Sequence, residues 1–202
     1  MTQPRRGRPP AQDSADTRDR IIEAATELFA TKGFHGTGVA EIGTRADVQR
    51  GALYYHIKSK EDLLWGILRD YTNVLLAEAE AVSATDDDPT TKLHNLIRSH
   101  VTLIVKYQRE VGIQIKDSGA LTGGSAAQLQ ELRDRVQQQW QQVLDDGCAT
   151  GDFRTNDHVI TNSLLGLVNM VWFWYRPGGS STPTEIAHMI AAMVFDGITT
   201  RN

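Results

Sequence analysis

The segment Ile42-Gly43-Thr44-Arg45-Ala46-Asp47-Val48-Gln49-Arg50-Gly51-Ala52-Leu53-Tyr54-Tyr55-His56-Ile57, followed by Lys58-Ser59-Lys60-Glu61-Asp62-Leu63-Leu64, decides how the rest of the chain is read. One short helix is predicted over roughly Val39 to Ala46 and another over roughly Gln49 to His56, with only Asp47-Val48 between them. Two helices joined so tightly form a helix-turn-helix. Ile42, Ala46, Val48, Leu53 and Ile57 give the pair an apolar side, and Ile21, Ala25 and Phe29 on a preceding helix can receive it. Gln49, Arg50, Gly51, Ala52, Tyr54, Tyr55 and His56 are left on the outer face. That mixture suits a DNA major groove. Arg bonds guanine, Gln bonds adenine and Ala touches a thymine methyl. Gly51 permits close approach, while tyrosine hydroxyls and Lys60 can reach phosphates. On composition alone, the same residues also describe a polar helix that merely faces solvent.

Upstream, Ile21, Ile22, Ala25, Leu28 and Phe29 recur at helical spacing in a helix starting near Thr17, and Gly33 after Lys32 is a stop signal. Residues 1–16 show no periodic apolar face and are expected to form a disordered basic arm. Downstream, Ser59-Lys60-Glu61-Asp62 resembles a capping box with an acid at its end. It opens a helix from Lys60 to about Val82, with Leu64, Ile67, Leu68, Tyr71 and Leu75 on one side. Pro89 starts the next helix, which runs past Leu93, Ile97, Val101 and Ile104. Ser118 to Gly124 reads as a flexible turn. Further helices are predicted over about Ser125 to Asp146, from Asn156 or Asp157 to Tyr175, and from the capping box Thr182-Pro183-Thr184-Glu185 to about Thr199. No alternating strand or internal repeat is evident. The expected class is all-α, about nine helices: a helix-turn-helix unit over residues 17–62 and a ligand-binding and dimerisation bundle over 63–202.

Bulk properties narrow the function. The net charge is −4, yet residues 1–65 hold 10 Lys and Arg against 9 Asp and Glu, while residues 66–202 hold 11 against 16. Any nucleic-acid contact therefore belongs to the first part. Cys148 is the only cysteine, which excludes a disulfide framework and a cysteine zinc site and fits a cytoplasmic protein. Hydrophobic residues make up 40% of the chain, and mean hydropathy is −0.35. No signal peptide is expected at the amino terminus. The most apolar run, Val159 to Tyr175, is short for a bilayer and carries Asn162, Ser163 and Asn169. No nucleophile elbow, P-loop, dinucleotide fingerprint or His-x3-His pair occurs, so neither an enzyme nor a metal or other cofactor is expected. A helical protein-interaction module without DNA binding is the rival reading.

A longer pattern favours DNA. Ala24-Ala25, Leu28-Phe29, Gly33-Phe34, Thr37, Ile42, Ala46, Val48, Gly51, Leu53-Tyr54-Tyr55-His56, Lys60-Glu61 and Leu63-Leu64 stand in order. In this pattern, the stretch from Ile21 to Leu64 resembles the DNA-binding domain of the TetR family of bacterial regulators. The resemblance implies that residues around Gln49–Tyr55 read bases and nearby phosphates, that Lys60 anchors the DNA backbone, and that Thr37 joins the contact set. Four positions depart from the family pattern: Gly38 and Gln49 replace helix caps, Gly43 replaces Ala, and Asp47 replaces a turn Gly. Arg5-Arg6-Gly7-Arg8-Pro9-Pro10 resembles the core of an AT-hook, which places Arg6 and Arg8 in a narrow A·T minor groove.

The remaining helices carry most of the aromatic weight. Trp172-Phe173-Trp174-Tyr175 must fan round its helix, so some of these rings should face a pocket or a partner subunit. The apolar Val159–Tyr175 segment and the stripe Ile186, Ile190, Met193, Val194 and Ile198 suit a homodimer through the last two helices, which would read a palindrome. Tyr107-Gln108-Arg109-Glu110 and Trp174-Tyr175-Arg176-Pro177-Gly178-Gly179 resemble the TetR subgroup that governs fatty-acid and sterol catabolism. That resemblance implies a small apolar effector of the acyl-CoA type. An acyl chain needs apolar walls, here Leu103, Tyr107, Ile113, Trp140, Leu144, Met170 and Phe173. A CoA head needs cations, here Arg109, Lys116 and Arg176. The alternative for each is ordinary core or surface charge.

Overall fold

Helices account for nearly all of the computed structural model, which describes residues 11–199. They are α1 (Ala11–Lys32), α2 (Val39–Arg45), α3 (Arg50–His56), α4 (Lys60–Ser83), α5 (Pro89–Lys106), α6 (Gln108–Asp117), a 3-10 turn at Ser118–Ala120, α7 (Gly123–Thr150), α8 (His158–Asn169), α9 (Val171–Trp174) and α10 (Pro183–Ile198). The only extended pairing among the described residues is a single bridge between Phe153 and Thr199. The expected all-α class holds.

Local chemistry sets most boundaries. Asp88 caps α5 by accepting from the Thr91 amide, with Pro89 in the first turn. At α10, Thr182 and Glu185 form a reciprocal capping box. Ser59 accepts from the Asp62 amide at the start of α4. Gly33, at φ 76°, ends α1 in the left-handed conformation.

Several expectations need correction. α1 begins by Ala11, so residues 11–16 are helical and not part of an unstructured arm. Asp16 lies early in that helix, where a carboxylate favours the helix dipole. The helix expected from Pro89 past Ile104 is α5, and it ends at Tyr107 (φ −110°, ψ 41°), which separates it from a further helix, α6, that the sequence reading did not distinguish. The helix expected to reach Tyr175 is divided at Met170 into α8 and the single turn α9. The presumed turn at Ser118–Gly124 is largely the 3-10 turn and the start of α7. Gly147 does not stop α7. The Phe153 ring packs directly on it, and the helix runs on to a left-handed cap at Gly151.

Two cores result. The amino-terminal core joins Ile21, Ala25 and Phe29 to Ile42, Leu53 and Ile57, as the patterning requires, and extends to Leu64 and Leu68 of α4. Ile113, Leu121 and Leu129, from far along the chain, also belong to it. The second core gathers α4, α5, α7, α8 and α10 around residues such as Leu75, Ile97, Trp140 and Val194. α4 therefore serves both cores along its length. The boundary expected between residues 62 and 63 falls inside the amino-terminal core, because Leu63 and Leu64 pack there.

Candidate nucleic-acid interface

The α2–α3 turn is built around Asp47, whose φ of 53° is left-handed. A β-carbon there carries strain, which an Asp tolerates better than most residues. Gly43 faces this corner. A Cβ on it would lie 3.0 Å from Leu53 Cδ2 and 3.4 Å from the Val48 carbonyl oxygen. The departure from Ala thus lets α3 seat closely against α2.

Leu53 is 1% exposed and anchors α3 in the amino-terminal core. Its neighbours point away: Gln49, Arg50, Gly51 and Ala52 are exposed, as are Tyr54 at 54% and Tyr55 at 72%. His56 is half-buried, its ring 5.2 Å from that of Tyr55. The Arg50 guanidinium lies 5.8 Å from the Tyr54 ring centroid. Gln49 caps α3 through its backbone only, leaving its side-chain amide uncommitted. The helix carries no acidic residue. The expected outer face is therefore one contiguous surface of donors, aromatic rings and a cation.

Two expected members stand elsewhere. Thr37 is 2% exposed, and its hydroxyl donates to the Gly33 carbonyl at 2.8 Å. It therefore neither faces solvent nor caps α2, whose N-cap Gly38 is unassisted. The Lys60 ammonium donates to the carbonyls of Phe34 at 2.8 Å and Thr37 at 3.0 Å and lies 4.3 Å over the Phe34 ring. Its charge is spent inside the fold, where it ties α4 to the α1–α2 corner. Arg6 and Arg8 lie outside the described residues.

The expected effector residues are not brought into one chamber. Leu103, Trp140 and Leu144 are buried in the second core. Ile113 is fully buried, but in the amino-terminal core. Tyr107 is half-buried, its ring 5.8 Å from that of Tyr71. Met170 and Phe173 are each 48% exposed. Of the three cations, Arg109 pairs with Glu23 on α1 at 2.6 Å, Arg176 donates to the carbonyls of Phe173 and Tyr175, and Lys116 lies 5.4 Å from the Trp172 ring centroid. Arg109 and Arg176 share the rim of a shallow cleft of about 280 Å³ with Trp172 and Tyr175. The aromatic run does fan round its helix: Trp172 and Tyr175 are half-buried while Phe173 and Trp174 are exposed.

Two features escaped the sequence reading. The first is the role of α6. It gives Ile113 to the amino-terminal core, Arg109 to Glu23, the Gln108 carbonyl to the Trp172 indole at 2.8 Å and the Gln114 side chain to Thr72 at 3.3 Å. Its apolar periodicity gives no sign of which core it serves. The second is His100, whose Nε2 lies 3.1 Å from the Asn169 side-chain oxygen and whose ring packs on Trp140. Burial pushes this imidazole down to about 4, opposed by the Asn169 bond. Among the described residues, no three or more His, Cys, Asp or Glu side chains group to hold a metal, and no helix is long and apolar enough to cross a membrane.

The same two parts of the chain match known families. Residues 21–65 match the family described as bacterial regulatory proteins, tetR family, and residues 86–198 match the tetracyclin repressor-like C-terminal domain. The chain belongs to the TetR family. Among its TetR-family relatives, the HTH-type transcriptional repressor KstR2 of Mycolicibacterium smegmatis is 29% identical over 189 residues, covering 92% of each chain. The solved structure of the ketosteroid transcriptional regulator KstR2 of Mycobacterium tuberculosis superposes with a TM-score of 0.83 at 26% identity, over 91% of this chain and 95% of that one. AibR, solved in complex with isovaleryl coenzyme A and operator DNA, shares the fold with a TM-score of 0.81 at 24% identity, over 89% of this chain and 98% of its own. TetR-family proteins are DNA-binding transcriptional regulators, repressors among them, and not enzymes.

Proposed function

We propose that this chain is a repressor that binds a palindromic operator as a homodimer and leaves it when an apolar effector of the acyl-CoA type binds. The observation that carries the DNA half is the sidedness of α3. Leu53 is buried, whereas Gln49, Arg50, Gly51, Ala52, Tyr54 and Tyr55 stand exposed together. Arg50 and Gln49 are the base-reading candidates, and the tyrosine hydroxyls suit phosphates. With Lys60 and Thr37 committed inside the fold, the contact surface is α3 and its amino-terminal cap.

Dimerisation is supported by apolar side chains left uncovered on the last two long helices. Val159 on α8 is 56% exposed, and Met189 and Met193 on α10 are 56% and 57% exposed. Covering them with a second copy would set two α3 helices at a fixed spacing.

The effector half is supported by the relatives. KstR2 is a ketosteroid regulator, and AibR was solved with an acyl-CoA and operator DNA. In this chain an acyl group would enter the second core beside Leu103, Trp140 and Leu144, and α6 would carry the change. α6 touches Trp172 on one side and the amino-terminal core on the other. An effector that favours the state in which the two α3 helices are misplaced lowers operator affinity by its preference between the two states.

Fluorescence anisotropy on labelled duplex from upstream of the gene, with and without a long-chain acyl-CoA, tests both halves. Tight, salt-sensitive binding released by the thioester is expected. Binding indifferent to the thioester discards that effector class. Failure to bind this duplex or any duplex selected from a random pool returns the chain to a helical interaction module.

A further inference from the structure

A cleft of about 230 Å³ lies where α1, α4 and the α5–α6 break meet. Tyr107 apart, none of its lining residues belongs to the expected effector wall. Ile22 of α1 and Ile67 and Val74 of α4 give it apolar sides, and Tyr71 and Tyr107 add two rings. Tyr71 is 3% exposed, and its hydroxyl, which makes no side-chain hydrogen bond among the described residues, is not a buried orphan but opens on the cleft. That hydroxyl is therefore free to bond water or an occupant of the cleft.

The charge in this cleft has one sign. Glu110 and Asp70 are its only ionised lining residues. Asp70 is neutralised by Arg69 at 2.7 Å. Glu110 makes no direct ion pair among the described residues: its neighbour Arg109 is bonded to Glu23 and feels the Glu110 charge only through space. The Glu110 charge reaches the buried phenol: burial first, and Glu110 second, hold Tyr71 well above the ordinary tyrosine value, so it stays protonated. Lys106, outside the lining, rests 5.1 Å from the Tyr107 ring centroid, so that ring already attracts a cation.

We propose that this cleft binds a small organic cation, an ammonium group on a single apolar ring or short chain, with Glu110 as counter-ion and the Tyr71 hydroxyl as acceptor for an ammonium N–H. An anionic ligand would meet an unpaired carboxylate, and a purely apolar one would leave both Glu110 and Tyr71 unsatisfied. The volume is below the ~300–1,000 Å³ of pockets for drug-sized ligands, which sets the size of the occupant. Because α1 forms one wall and α4 and α6 the others, the occupant bridges the DNA-facing unit and the bundle.

The test uses the full chain and three probes of like shape: 2-phenylethylammonium, 2-phenylethanol and 3-phenylpropionate, titrated calorimetrically at pH 7. The ammonium should bind saturably, the alcohol about tenfold more weakly and the carboxylate not at all. Glu110→Gln should cut the ammonium's affinity about tenfold and leave that of the alcohol and the melting temperature unchanged. Thr26→Trp, which fills the cleft from α1, should abolish both. Equal binding of ammonium and alcohol, an unchanged ammonium affinity in Glu110→Gln, or no saturable ammonium binding overturns the proposal.

Discussion

The indole of Trp172 occupies the space that a side chain on Gly112 would need. A Cβ on Gly112 would lie 2.9 Å from Trp172 Cζ2 and 3.5 Å from Nε1, and that nitrogen is already held by the Gln108 carbonyl. The contact joins α9 to α6 at the residue next to Ile113, which is itself locked in the amino-terminal core. Replacing a helical Gly by Ala ordinarily stabilises by about 1 kcal/mol. Here the indole ring must move and its hydrogen bond must lengthen, so Gly112→Ala should destabilise by about 1–3 kcal/mol instead. Urea unfolding followed by tryptophan emission measures the sign, and a stabilised variant would show that Trp172 does not depend on Gly112.

Lys60 and Arg50 should separate cleanly, although both looked like DNA contacts in the sequence. Lys60→Met keeps the aliphatic stem but leaves the carbonyls of Phe34 and Thr37 without their donor. It should lower stability by about 1–2 kcal/mol and leave the slope of DNA affinity against salt unchanged. Arg50→Ala should leave the melting temperature alone and weaken operator binding by about 1–3 kcal/mol, as loss of a base contact does. Thermal melts and anisotropy across a salt series test both variants. A shallower salt slope in Lys60→Met would return that lysine to the phosphate backbone.

The difference between these two residues marks how far the sequence could be read. Binary patterning identified the partners of Leu53 and Phe29, because core formation follows local period and ends at recognisable caps such as Asp88 and Thr182. The same patterning identified the exposed side of α3, because a short amphipathic helix has only one other face. It could not tell an ammonium aimed outward from one folded back onto two carbonyls, since that depends on where Phe34 and Thr37 stand in space. Nor could it assign Ile113, which has the same apolar spacing whichever core receives it. The effector residues were the least legible. Leu103 and Phe173 share a composition but not an environment, and a chamber is a property of helix placement more than of residue type.

His100 predicts a pH response of the fold. The folded imidazole is pushed by burial to about 4, below its ordinary value of about 6.5 in an unfolded chain. Between those values the unfolded state binds the extra proton, so stability is complete above about pH 6.5 and falls as pH drops toward 4. The loss amounts to about 3 kcal/mol. His100→Gln, which can still meet Asn169, should be flatter than the parent over that interval by this amount. Paired urea titrations at pH 7.5 and 4.5 read the difference, and parallel curves would mean that His100 accepts its proton without disturbing Asn169 or Trp140.

Met193 tests the assembly on which palindrome reading rests. Its side chain is 57% exposed on α10, one turn from Met189 at 56%, while Ile190 and Val194 on the other side of the helix are buried. An exposed methionine pair on a helix whose opposite side fills the core is a surface made for cover. Met193→Glu would place a carboxylate in the middle of that cover on each of two symmetry-related copies, so one substitution introduces two facing charges. Burying them would cost several kcal/mol, enough to dissociate a dimer at micromolar concentration. Sedimentation velocity should then show a monomer with an unchanged melting profile in dilute solution, and anisotropy should show operator affinity reduced to the level of a single half-site. A variant that stays dimeric would move the interface away from this face of α10. One that becomes monomeric yet binds the full operator undiminished would show that the two α3 helices do not act as a pair.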